Sequence, residues 1–405
     1  MRRLLPLVLV LAPAAGCQKG ETRSRSTGGA ALAVSCSVDR PVARVGEPAT
    51  IQCTAAAPAS AVSWSLSPER GALSPAGPAA TFVLRASQVD PSFGDTAFTV
   101  TATFAGEKGS GTGSAVVTVL GNTWLARGDV PQVEAFASDG TSLGLVPVGL
   151  EGPAVALATR ADGAILAAQV PRSGAPPVVA LSRDGGRVAA FAALDPQGAP
   201  LFTAEYPPRA LRQMRDGSIW VTGGTRPVIY DASGRFLRRA AEAPAETIGL
   251  AQLPDGRVAV TYQWAFALGL YDETGSTLAE SVIGRTLPDK ESYGEVGALA
   301  LDAQGRLIAA AAHLAPAGWT GTLLRIGLDG PPVVEAELPA AARVPNNVPW
   351  QLAVLATEIG SVPSPEVATS KASCPQRFGA DLGGSVGCLA PGTQYRGVAH
   401  LGAIR

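Results

Sequence analysis

Few residues in this chain are of the types and spacings that do chemistry. Gly140-Thr141-Ser142-Leu143-Gly144 has the Gly-x-Ser-x-Gly pattern of a nucleophile elbow. That pattern has mechanical meaning at a strand-to-helix turn beneath an oxyanion hole. Here it falls in a hairpin turn of a kind that recurs along the chain, so it is read as a turn. His313 and His400 are the only imidazoles. Either would serve as a general base if it faced a channel beside a carboxylate. No Asp or Glu partner can be named for them, and both are read as strand-end or partly buried histidines with one hydrogen bond. Asp162, Asp216, Asp255 and Asp302 recur at matching places and raise the question of calcium. Calcium takes about six to eight oxygens, usually with several carboxylates in one loop. No loop here has Asp-x-Asp-x-Asp spacing, and turn-forming Asp explains the repeat better. The chain has no Walker loop, dinucleotide fingerprint or zinc-peptidase motif. It therefore offers no catalytic set, no metal set and no cofactor site.

The elements around these residues repeat. Four stretches read as apolar strand, Asp-Gly type turn, apolar strand: VALATRADGAILAA, ALRQMRDGSIWVTGG, GLAQLPDGRVAVTY and ALALDAQGRLIAAAAH. Each is followed by a second strand pair around another Asp…Gly turn, as in VVALSRDGGRVAAF and PVIYDASGRFLRR. Asp-Gly supplies the positive φ that a tight hairpin needs. The first-turn aspartates are 54, 39 and 47 residues apart, the spacing of four-stranded propeller blades. Val133–Val146 matches only the second half of a unit, so it lacks an innermost strand, and YRGVAHLGAI near the end of the chain is expected to supply it and close the ring. Residues 341–392 make the remaining blade. The pattern over 122–405 resembles the NHL-like and related six-bladed β-propellers. The resemblance lies in the repeat and carries no enzyme signature. Six blades is the expectation, with five and seven as alternatives.

Residues 31–120 read as short β-rich runs divided by turns. Phe98, Val100, Ala102 and Phe104 alternate with polar residues, a period-two face that points inward. CSVDRPVARVGEPATIQCTA, Trp64 eleven residues after Cys53, and the Asp95–Thr101 stretch resemble a bacterial immunoglobulin-like β-sandwich. That resemblance implies a core role for Trp64. The late-strand cysteine and the corner tyrosine of antibody domains are missing, with Thr101 and Thr99 near their places. The overall expectation is an all-β chain, an Ig-like sandwich followed by a propeller. Trp124 and Trp220 hold the same place in two blades and are read as packing between blades. Trp264, Trp319 and Trp350 fall at irregular points, and strand core is the favoured reading.

The first residues set the compartment. Arg2 and Arg3 precede an apolar run, Leu4–Pro13, and then Ala14-Ala15-Gly16-Cys17. The run is far shorter than the ~20 residues a membrane-spanning helix needs. It resembles a bacterial lipoprotein signal over 1–16, which implies lipidation of Cys17 as the first mature residue. Gln18, in place of Asp, implies sorting to the outer membrane, with the protein facing periplasm or exterior. Residues 17–30 are polar and Gly/Ser-rich and read as a flexible tether. The other four cysteines form two near pairs, Cys36 with Cys53 and Cys374 with Cys388. In an oxidising envelope each pair is expected to be a disulfide. Cys36 and Cys53 flank the Arg44–Glu47 turn, which suits a bridge across the first hairpin.

Formal net charge is −1, with no basic face to suggest nucleic acid. Arginine is 28 of the 32 basic residues, a bias of GC-rich coding. The reading that follows is a non-enzymatic envelope lipoprotein. It is tied to the membrane by its lipid and binds an envelope protein or a glycan through the propeller. The alternatives are a lactonase-like, divalent-metal-dependent propeller hydrolase and an envelope assembly or sensor component. Such hydrolases ring a cation with acidic and amide ligands, and Asn122, Asn346 and Asn347 are the only asparagines.

Overall fold

The computed structural model describes residues 32–401 except 108, 129, 173, 264, 286–291, 303, 316–317, 338–343, 346–348, 355–357, 364–375, 380–384 and 389–394. The expected lipidation site Cys17 and the expected Cys374–Cys388 bridge fall outside the described residues. The chain is all-β, and the one helical element described is a 3-10 turn at Ala86–Gln88. Contacts divide it into two compact units.

In the first unit, one sheet orders Val34–Val38, Ala49–Ala55, Ala79–Val83 and Ala72–Ala76. The other orders Gly109–Val119, Thr96–Gly106 and Ala61–Ser67. The predicted inward face is buried at Phe98, Val100, Ala102 and Phe104. The Phe98 ring meets that of Phe82 from the other sheet at 4.9 Å. Cys36 and Cys53 sit directly opposite on adjacent strands and form the expected disulfide, with Cα atoms 4.1 Å apart. Trp64 departs from the expected core role. It lies on an edge strand, which has one covered side only, and is half-buried with its indole N–H donating to the Gly77 carbonyl at 3.2 Å.

The second unit takes in residues 42–47, 84–96 and 118 onward. It is a β-propeller of six sheets. Blade 1 combines Thr123–Arg127, Val133–Phe136 and Ser142–Val146 with Tyr395–His400, which pairs with Thr123–Arg127 as the innermost strand. Blades 2, 3 and 4 begin with innermost strands Ala154–Thr159, Leu211–Gln213 and Thr247–Gln252, and each continues outward through its next three strands in chain order. Blade 5 begins with Ser292–Leu301 and carries Gly284–Arg285 in parallel along its outermost strand. Blade 6 begins with Pro349–Val354. Each innermost strand touches that of the next blade, and blade 6 touches Tyr395–His400, so the ring closes at six.

The two faces of each blade are built for this stacking. Leu211 packs toward blade 2, with Ile219, Val221 and Tyr230 beside it. Trp220, one residue over, packs toward blade 4 against Leu250, Tyr262 and Tyr271. Side chains of neighbouring strand residues point to opposite faces, so each strand of a blade serves two interfaces. Polar clips join the blades as well. Thr222 and Thr261, 39 positions apart, each donate a buried hydroxyl to the innermost strand of the following blade, at Ile248 and Gly297. Gln213 and Gln252, also 39 apart, each accept a turn amide of the preceding blade, from Ala161 and Arg215. These four side chains sit at matching places in two repeats, so the period visible in the sequence includes its inter-blade hydrogen bonds.

Candidate functional site

The recurring aspartates hold their own turns. Asp162 accepts the Ala164 amide at 3.1 Å, Asp216 that of Ser218 at 2.9 Å, and Asp255 that of Arg257 at 3.0 Å. Asp302 accepts from Gln304 and Arg306. The glycine that completes each turn has positive φ, as at Gly217 (86°) and Gly256 (94°). The outer turns repeat the device. At Asp231, the Ser233 hydroxyl and then the Arg235 and Ser233 amides hold the carboxyl at about 2, well below the ordinary 3.8. Because the folded value is depressed, the associated stability is present above the unfolded value and is lost as pH falls through the folded one. The contribution is small at this solvent-facing position. A carboxyl-carbon NMR titration is expected to give Asp231 a midpoint near 2. Ser233→Ala is expected to move it up toward the ordinary carboxylate range. An unchanged midpoint in the variant would show that the hydroxyl is not the cause.

Ser142 lies on the outermost strand of blade 1, where its hydroxyl donates to Glu134 at 2.7 Å. This is the hairpin setting that the sequence suggested. His313 lies on Leu307–Ala315, the second strand of blade 5, with Tyr293 and Thr320 as its cross-strand neighbours. His400 has a partner that its sequence neighbourhood could not reveal. Its Nε2 lies 2.9 Å from Asp95 Oδ1, 305 positions away. The same carboxylate oxygen accepts the Gly121 amide, and the His400 carbonyl accepts the Thr159 hydroxyl. His400 Nδ1 and the opposed Thr123 Oγ1 are both buried without a hydrogen bond, so the three residues do not form a joined nucleophile–base–carboxylate chain.

The innermost strands hold the residue that stands out. Cross-strand register aligns Leu157-Ala158, Leu211-Arg212, Leu250-Ala251, Leu299-Ala300, Leu352-Ala353 and Val398-Ala399 around the ring. Five of the six blades place alanine at the second position, and blade 3 places Arg212. Sheets of a propeller converge toward the axis, which leaves room for a methyl group there. Ala251, Ala300 and Ala399 are fully buried, while Arg212 is partly buried. Yet its charge is strongly desolvated. Burial, and then the nearby Arg215 guanidinium, hold its pKa below the ordinary arginine value.

Among the described residues Arg212 has no hydrogen bond and no acidic partner. Asp216, the nearest acid in sequence, caps its own turn, and Glu246 pairs with Arg209 at 2.7 Å. Directly across from Arg212 on the same blade face is Trp220, 0% exposed, with its indole N–H unpartnered. Trp124 is at the same place in blade 1, opposite Ala399, and its indole donates to the Pro91 carbonyl at 2.9 Å. Both tryptophans pack between blades as expected, but only Trp220 has an idle donor beside a cation. The Leu-Ala pairs were present in the sequence as a signal. Their alignment needed the strand register to expose Arg212 as the exception.

No protein-family model matches the chain, and no curated protein matches it. Several solved structures are similar to it. A Bacteroides thetaiotaomicron protein of unknown function is 12% identical, with TM-score 0.48, over 92% of this chain and 93% of that one. A Bacteroides caccae protein of unknown function is 14% identical, with TM-score 0.48, over 69% of this chain and 98% of that one. Virginiamycin B lyase from Staphylococcus aureus is 10% identical, with TM-score 0.39, over 75% of this chain and 96% of that one.

Proposed function

We propose that this protein is a lipid-anchored binding component of a bacterial cell envelope, with the propeller as its platform for an envelope protein or glycan. The observation that carries the reading is the use made of the recurring aspartates. Each accepts amides of its own turn, so these carboxylates serve the fold. The repeat's polar chemistry is thus spent on building a rigid ring. The N-terminal pattern ending at Cys17 supports the anchor. The strand order of the first unit, with first, third, sixth and fifth strands in one sheet, supports an immunoglobulin-like spacer. Chemical cross-linking of the tagged full-length protein in intact cells, with Cys17→Ser as control, tests the reading. One dominant partner that depends on Cys17 is the expected result. Stoichiometric divalent metal in the purified protein, together with the absence of a captured partner, would overturn it in favour of the hydrolase.

A further inference from the structure

Ala61–Ser67 ends its sheet in the first unit, and among the described residues no strand pairs with its outer side. A bare strand edge is a template for another chain, and proteins blunt such edges with charge, proline or bulges. This chain does so elsewhere. A register shift interrupts the pairing of the outermost strand in each of the six blades. In the first unit the edge strand Ala72–Ala76 carries Pro75. Ala61–Ser67 has none of these devices. It pairs with Thr96–Gly106 over its seven residues without a shift, and no charged residue lies anywhere from Ala55 to Pro68.

The residues along this edge are also close to a palindrome, Ala-Val-Ser-Trp-Ser-Leu-Ser. Laid antiparallel against itself about a two-fold axis at Trp64, the strand sets Val62 opposite Leu66, Ser63 opposite Ser65 and Trp64 opposite Trp64. Apolar residues then meet apolar ones, hydroxyls meet hydroxyls, and no like charges face each other. Pairing two residues out of this register leaves Leu66 opposite Ser60 or Val62 opposite Pro68. Val62, Trp64 and Leu66 are half-buried, because the sheet stops beside them, while Ala61, Ser63, Ser65 and Ser67 are exposed. A second strand would cover the open flanks of the three apolar side chains and pair the free backbone groups.

We propose that Ala61–Ser67 is a self-association edge, at which two copies of this chain pair antiparallel about a two-fold axis at Trp64. The contact is isologous, so one strand supplies both halves. A ladder this short is a small interface, and the dimer is weak and reversible, with Kd of roughly 10 µM. The proposal is independent of what the propeller binds.

Sedimentation equilibrium of the full-length protein in density-matched detergent, with micelles in excess, tests it up to ~100 µM. A monomer–dimer equilibrium is expected. Ser63→Lys together with Ser65→Lys sets like charges directly across the axis on the solvent face. It is expected to weaken the dimer tenfold or more and to leave the thermal midpoint unchanged. The register is read by cysteine pairing. An oxidised mixture of Ser63→Cys and Ser65→Cys chains is expected to give a linked dimer with one chain of each kind, whereas either variant alone opposes its new cysteine to a serine and stays unlinked. A monomer at the highest concentration, a dimer indifferent to the two lysines, or equal linking in the single variants would each overturn the proposal. A monomer whose Ala61–Ser67 amides all resist hydrogen exchange would overturn it too, by assigning the edge to another segment of the same chain.

Discussion

A chain lacking residues 395–405 is expected to lose the cooperative unfolding transition of the propeller. Tyr395–His400 is the innermost strand of blade 1 and pairs with Thr123–Arg127 over most of its length. It buries Tyr395, Val398, Ala399 and His400 and touches blades 2 and 6. Its loss uncovers Leu125 and Phe136, which cluster with Tyr395 and Val398. Each large apolar side chain uncovered costs about 1.5–3 kcal/mol. Four or five of them exceed much of the ~5–15 kcal/mol that holds a domain together. The deletion also strips the ladder partners from Thr123–Arg127 and leaves blade 1 with three strands. Thermal unfolding followed by circular dichroism, with limited proteolysis, checks this. A truncated protein that melts cooperatively within a few degrees of the intact one would show that the ring does not depend on its seam.

Arg212→Ala is expected to stabilise the protein, against the usual direction of core substitutions. The position takes alanine in the other five blades, so the variant restores the residue the geometry favours. The change removes a desolvated cation that has no acidic partner and sits near Arg215. Exchanging this partly exposed cation for apolar packing is expected to gain about 1 kcal/mol, since solvent contact discounts the larger figure for a fully buried charge. For a unit of this size that is roughly 2–4 °C in thermal midpoint per kcal/mol. Differential scanning calorimetry is the measurement. A lower midpoint for the variant would mean that Arg212 is held by interactions that stabilise the fold.

Local chemistry was legible in the sequence because it is local. Asp-Gly turns, their spacing, the alternation at Phe98 and the near pair Cys36–Cys53 depend on residues a few positions or one hairpin apart. The closing strand was legible because the first repeat unit lacked one. Three features were hidden for the opposite reason. The Asp95–His400 contact joins residues 305 positions apart. The half-burial of Trp64 depends on its strand lying at a sheet edge, which strand order decides and composition does not. Arg212 is an ordinary arginine until six innermost strands are laid in register, and only then is it the one long side chain in a ring of methyl groups.

The seam in blade 1 also fixes an order of events during synthesis. The strand Thr123–Arg127 is made first, and its inner neighbour Tyr395–His400 is made only after every residue of the other five blades. Until then the nascent propeller is an open arc with two raw ends, one of them an unpaired edge. Long-range closure of this kind is slow, and exposed edges invite pairing with other chains. The protein therefore has a window between the arrival of its fifth blade and that of its last strand in which it depends on being kept apart from its own copies. Chains cut short anywhere in that window would accumulate as association-prone arcs, with no partly working propeller among them.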